Sequence, residues 1–217
     1  MSARQTWAKT GERGMDSQPV LQYDVAYPEH LSRWMIFLKW LFIIPNLIVV
    51  ALLGIVAEVV SIIAWFAILI TGKYPQGLFN FTLGVLRWYA NVSAYTYLQR
   101  DEYPPFSMQA GLYPVTLTLD YPDHLSRWKI FFKWLFAIPH FVVLYLLQIA
   151  RNICIFLAFF AILFTGSFPR GLFDFVVGID RWQFRVAAYI LLLTDAYPPF
   201  SMQADAGGMA PAYSGAL

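Results

Sequence analysis

The sequence is short of charge. Only 13% of its 217 residues are Asp, Glu, Lys or Arg, against about 25% in a soluble globular domain. A net charge of +2 leaves no basic footprint for nucleic acid. The single cysteine, Cys154, lies inside an apolar run, so an intrachain disulfide is excluded and no thiolate cluster for a metal is present. The three histidines are His30, His124 and His140. No Cys/His cluster, Gly-rich phosphate loop or paired-carboxylate motif accompanies them. Catalysis requires a convergent nucleophile, base or metal-ligand set, so the expectation is a non-enzymatic protein with no catalytic, cofactor-binding or metal-binding residue. The first twenty residues lack the apolar core of a signal peptide.

What the sequence has in excess is apolar surface. Hydrophobic residues make up 59% of the chain and aromatics 18%. They come in long runs rather than in alternation, which excludes a half-buried sheet as the main architecture. One run extends from Trp40 to Ile70 with a single charge, Glu58. A second extends from Trp134 to Phe164 with a single charge, Arg151. Trp and Tyr favour the membrane–water interface, where an apolar ring and a polar tip are both satisfied.

The runs belong to a duplication. Tyr27-Pro28-Glu29-His30-Leu31-Ser32-Arg33-Trp34 returns as Tyr121-Pro122-Asp123-His124-Leu125-Ser126-Arg127-Trp128, and one ungapped register continues from there. It carries Lys39-Trp40 onto Lys133-Trp134, Pro45 onto Pro139 and Thr71-Gly72 onto Thr165-Gly166. Farther on it carries Arg87-Trp88 onto Arg181-Trp182, and Tyr103 to Ala110 onto Tyr197 to Ala204. The expected organisation is a disordered tail over 1–20, membrane repeats over 21–110 and 121–204, a linker over 111–120 and a flexible tail over 205–217. These motifs resemble those of the domain-of-unknown-function family 4389 of bacterial membrane proteins. The resemblance implies a membrane protein with tandem units and brings no reaction, ligand or catalytic residue.

Each apolar run is about thirty residues, or about 45 Å of helix, while the hydrocarbon core is about 30 Å thick. With flanks from Arg33 to Gly72, the unit has room for a tight helical hairpin whose tip falls at Glu58 in one copy and Arg151 in the other. That model puts nearly all Lys and Arg on one side, as the positive-inside pattern requires. The two hairpins then point the same way about an axis along the membrane normal. Pro45 and Pro139 are expected to kink the first helix of each hairpin. From Leu78 to Leu98, and in its counterpart, polar and small residues recur at helical spacing. This predicts an amphipathic helix in the interface, with Arg87, Arg181 and Arg185 as candidate lipid-headgroup contacts. The fold class is therefore all-α integral membrane: a tandem repeat of hairpin plus interfacial helix, with about four transmembrane helices. The expected location is the inner (plasma) membrane, multi-pass, with both termini cytoplasmic. The expected partners are membrane lipids and other membrane-protein subunits or a second copy, with no nucleic acid. An accessory or structural role follows most directly, and a small transporter or channel is the alternative.

Overall fold

The computed structural model describes residues 19–204. Both expected tails, apart from residues 19 and 20, lie outside the described residues. The chain is mostly helical. Strand β1 (Gln22–Val25) leads into α1 (Met35–Phe42), α2 (Ile44–Thr71) and α3 (Gln76–Thr96). The second copy repeats this order with β2 (Val115–Thr118), α4 (Lys129–Thr165) and α5 (Arg170–Ile190). The 111–120 stretch, read as a linker, thus carries a strand, and β2 pairs antiparallel with β1 from Gln22↔Thr118 to Val25↔Val115.

The expected hairpin tips are not turns. Helix α2 runs straight through Glu58 and α4 through Arg151. A single charged residue keeps good helix propensity and supplies no backbone reason to stop. Both helices end one residue past the apolar run, at Thr71 and Thr165, and are capped by Gly72 and Gly166. These glycines adopt left-handed φ of 73° and 76°, and Pro75 and Pro169 follow three residues later. Glycine in that conformation closes a helix without a Cβ clash, and proline prevents its resumption. The true hairpins are therefore α2–α3 and α4–α5, each hinged on this four-residue turn.

The two prolines of the runs behave differently. At Pro45 the helix is interrupted: α1 ends at Phe42, and α2 begins at Ile44 with Pro45 in its first turn, where a missing N–H is tolerated. At Pro139 the helix continues, so α4 carries the proline in its interior.

Helices α3 and α5, read as amphipathic, are packed on both their polar and their apolar sides. Along α3, Arg87 turns to β2 while Trp88 and Val92 pack on Ile43 and Val50. On α5, Arg181 turns to β1 while Trp182 and Val186 pack on Leu144 of α4. Successive helical residues are about 100° apart, so each of these helices is covered on two sides. The result is three layers: the two-stranded sheet, then α3 and α5, then α1, α2 and α4. The main core fills the middle, with Ala64, Ile68, Ala158, Ile162, Leu83 and Val177 at its centre.

The long helices run antiparallel. Trp65 near the end of α2 meets Phe131 at the start of α4, with ring centroids 5.2 Å apart. Phe37 in α1 meets Phe159 near the end of α4 at 5.5 Å. The pseudo-twofold axis relating the copies is consequently perpendicular to these helices, because an axis along them would preserve their direction. This corrects the parallel-hairpin arrangement for any pose in which the helices cross a bilayer.

Candidate functional site: an apolar face over an asymmetric polar cluster

The outer face is built from the arcs of α1, α2 and α4 that point away from α3 and α5. On α2 the buried positions are Asn46, Val50, Ala57, Ala64 and Ile68, a narrow stripe at helical spacing. Residues on the remaining arc, such as Ile48, Leu52, Ile55, Ile62, Phe66 and Ile70, are exposed, as are Leu135, Val142, Ile149, Phe156 and Phe164 on α4. Trp34 and Trp128, at the two helix starts, are 81% and 79% exposed. Soluble monomers rarely expose contiguous apolar patches beyond a few hundred Å². Both α2 and α4 are long and apolar enough to cross a membrane. Charge is sparse on the face: α2 carries only Glu58, and of the charged residues of α4 Lys133 and Arg151 are buried while Lys129, at the helix start, is exposed.

The repeated polar motifs hold the two copies together. The N–H of Leu31 donates to the Gly166 carbonyl at 2.8 Å, and that of Leu125 to Gly72 at 2.9 Å. The Tyr27 hydroxyl donates to the Phe168 carbonyl at 2.6 Å, and Tyr121 returns the contact to Tyr74. Thus YPxHLSRW of each copy clasps the hairpin turn of the other. Inside each copy, Lys39 or Lys133 ties the first helix to the closing segment. Lys39 reaches Asp101 and the Arg100 carbonyl at 2.7 Å, and Lys133 reaches Asp195 and the Thr194 carbonyl at 2.8 Å. The same two aspartates accept the N–H of Ser32 and Ser126 at 2.5 Å.

The three arginines expected at lipid headgroups are turned inward. Arg87 donates to the Leu117 carbonyl and Arg181 to the Tyr23 carbonyl, both at 2.9 Å. Arg181 also reaches Met202 and Asp24. Arg185 is buried and donates to the carbonyls of Ser201 and Gln203. Their stripe donates to strand and loop carbonyls, so that these buried polar groups are paired.

One cluster breaks the internal symmetry. Arg151 lies 2.5 Å from Asp180 and 2.6 Å from the Tyr97 hydroxyl, and its guanidinium stacks 3.8 Å from the Tyr97 ring centroid. Gln99 donates to the other Asp180 oxygen at 2.7 Å. Burial raises the Asp180 carboxyl above its ordinary range, and the Arg151 charge and the Gln99 amide pull against that rise. In the other copy the positions of Arg151, Asp180 and Tyr97 hold Ala57, Leu86 and Leu191. Sequence reading singled out Arg151 but missed its partners, since Asp180 is twenty-nine residues away on α5 and Gln99 follows α3 in the other copy. The cue in the sequence was the loss of the repeat at these positions. No group of metal-ligating side chains occurs among the described residues.

These features define a class: a duplicated helical-hairpin protein with a clasped pseudo-twofold core and one continuous apolar face. Residues 33–108 and 127–202 each match the family described as Domain of unknown function (DUF4389), and together they cover more than half of the chain. The protein belongs to this family, with two tandem copies. No curated protein and no solved structure matches the chain.

Proposed function

We propose that this is a non-enzymatic accessory protein of the inner (plasma) membrane that lies in one leaflet, with α2 and α4 in the bilayer plane. The observation that carries this reading is the layering: the apolar face and the sheet lie on opposite sides of α3 and α5. If α2 and α4 crossed the bilayer, the sheet would sit at mid-height beside α3 and α5. Its open edges, and an Asp24 side chain that is 60% exposed, would then meet hydrocarbon. Lipid-exposed sheet edges do not occur there, because each unpaired backbone group costs several kcal/mol. At 37 residues, α4 is also about 55 Å long, well over the hydrocarbon thickness.

Laid in the plane, the axis between the copies points along the membrane normal. Lys73 and Arg170, beside the two hairpin turns, then fall on one side, as does β1. This restores the one-sided charge pattern, which supports the reading that β1 faces the cytoplasm. The buried lysines and the arginine stripe hold the fold, which favours a structural role over chemistry. An object that occupies one leaflet packs lipids or neighbouring subunits, and wedges the bilayer, from that side only.

Single cysteines at Lys73 and Ser167, in a Cys154→Ser background, test this. A membrane-impermeant maleimide should label both from the same side of oriented vesicles. Labelling from opposite sides would establish spanning helices and end the one-leaflet reading. The accessory role is tested by tagged purification in mild detergent and by liposome tubulation. A chain that always isolates alone and leaves curvature unchanged has no such role.

A further inference from the structure

The asymmetry between the copies leaves a groove in the first. It is about 420 Å³, within the range of small-molecule sites, and lies between α2, the start of α4 and the end of α5. Ser61, Trp65, Trp134 and Leu191 wall it, Ile62 and Phe66 border its open side, and Glu58 stands in the lining. A smaller hollow of about 150 Å³ shares Glu58 and Leu191 and continues along α2 to Gly54. In the second copy the same places are taken by larger groups: Ile155 for Ser61, Tyr97 for Leu191 and Arg151 for Ala57. There the chain itself supplies a cation, Arg151, stacked on an aromatic ring.

Glu58 is the only acid in α2, and no basic side chain pairs with it among the described residues. A carboxylate bordering hydrocarbon is costly unless a counter-charge meets it, and the two indoles beside it give the groove apolar walls. We propose that the groove binds an amphiphile with one apolar tail and an ammonium head, the tail along Trp65 and Trp134 and the ammonium on the Glu58 carboxylate. The proposal rests on the membrane-embedded reading above and names the ligand class of that face.

The test uses the full chain in a neutral detergent with three probes of equal tail: dodecylammonium, dodecanol and dodecanoate, followed by native mass spectrometry. Dodecylammonium should bind at least about tenfold tighter than dodecanol, since one desolvated charge pair is worth at least that factor, and dodecanoate weakest. Glu58→Gln should erase the ammonium preference. Leu191→Tyr, which imports the bulk of the second copy while leaving Glu58 in place, should block all three probes. Equal binding of the probes, or a Glu58→Gln variant that retains the preference, overturns the proposal. Flotation with phosphatidylcholine vesicles is measured in parallel. Its loss in the wild type overturns the embedded reading, whereas loss of the ammonium preference alone overturns the groove.

Discussion

Arg151 on α4 and Asp180 on α5 form a buried ion pair at 2.5 Å, with side chains 5% and 1% exposed. The equivalent residues of the first copy, Ala57 and Leu86, show that the same backbone accepts an apolar pair. Asp180→Leu alone strands the guanidinium and should cost about 3–5 kcal/mol. Adding Arg151→Ala reproduces the Ala57–Leu86 pair of the first copy and should recover at least half of that loss. Thermal melting in detergent decides the point: a double variant as unstable as the single one would show that the pair is not the source of the cost.

The two hairpin glycines should not respond equally to alanine. Left-handed backbone costs a non-glycine residue about 1–2 kcal/mol, and both positions incur that. A Cβ on Gly72 would also come within 2.9 Å of the His124 ring, whereas on Gly166 the nearest atom is Arg33 Nε at 3.5 Å. Gly72→Ala should therefore lower the melting temperature more than Gly166→Ala. The reverse order would contradict the clasp geometry.

His140 has a natural substitute at its symmetry mate. Asn46 accepts the Trp88 indole N–H at 2.8 Å and donates to the Pro104 carbonyl at 3.1 Å. His140 accepts the Trp182 indole N–H at 3.0 Å and stacks on Phe200. Removing the acceptor in His140→Ala leaves that buried N–H without its partner, at about 1–3 kcal/mol. His140→Asn should restore most of the loss in a denaturation series. Failure of asparagine to rescue would assign the stability to the Phe200 stack instead.

Arg181 separates a strand-holding role from a headgroup role. Arg181→Ala should accelerate amide exchange across Gln22–Val25 and the paired Val115–Thr118 and leave binding to anionic vesicles unchanged. Unchanged exchange with weakened vesicle binding would restore the headgroup assignment.

The duplication, the helical character and the helix stops were legible in the chain. Identity at one offset needs no coordinates, and apolar runs of thirty residues do not make a small sheet. The turns were legible too, as Thr-Gly-x-x-Pro, but the charges at Glu58 and Arg151 drew attention to mid-helix positions instead. The strands were hidden because four residues each of QYDV and VTLT carry little pattern, and each is stable only against the other and the arginines of α3 and α5. The polar cluster was hidden because Arg151, Asp180, Tyr97 and Gln99 come from separate segments.

By itself, the sequence determined that the chain is a tandem repeat of mostly apolar helices with few charges, since composition, periodicity and self-similarity are properties of the chain alone. Only the tertiary structure decided how those helices are used. Packing of YPxHLSRW onto the opposite turn makes the long helices antiparallel. Packing of the sheet onto α3 and α5 leaves one face largely apolar, with Glu58 as its acid. Which residues become partners, and which way a face points, depend on contacts between distant segments, and no local pattern encodes them.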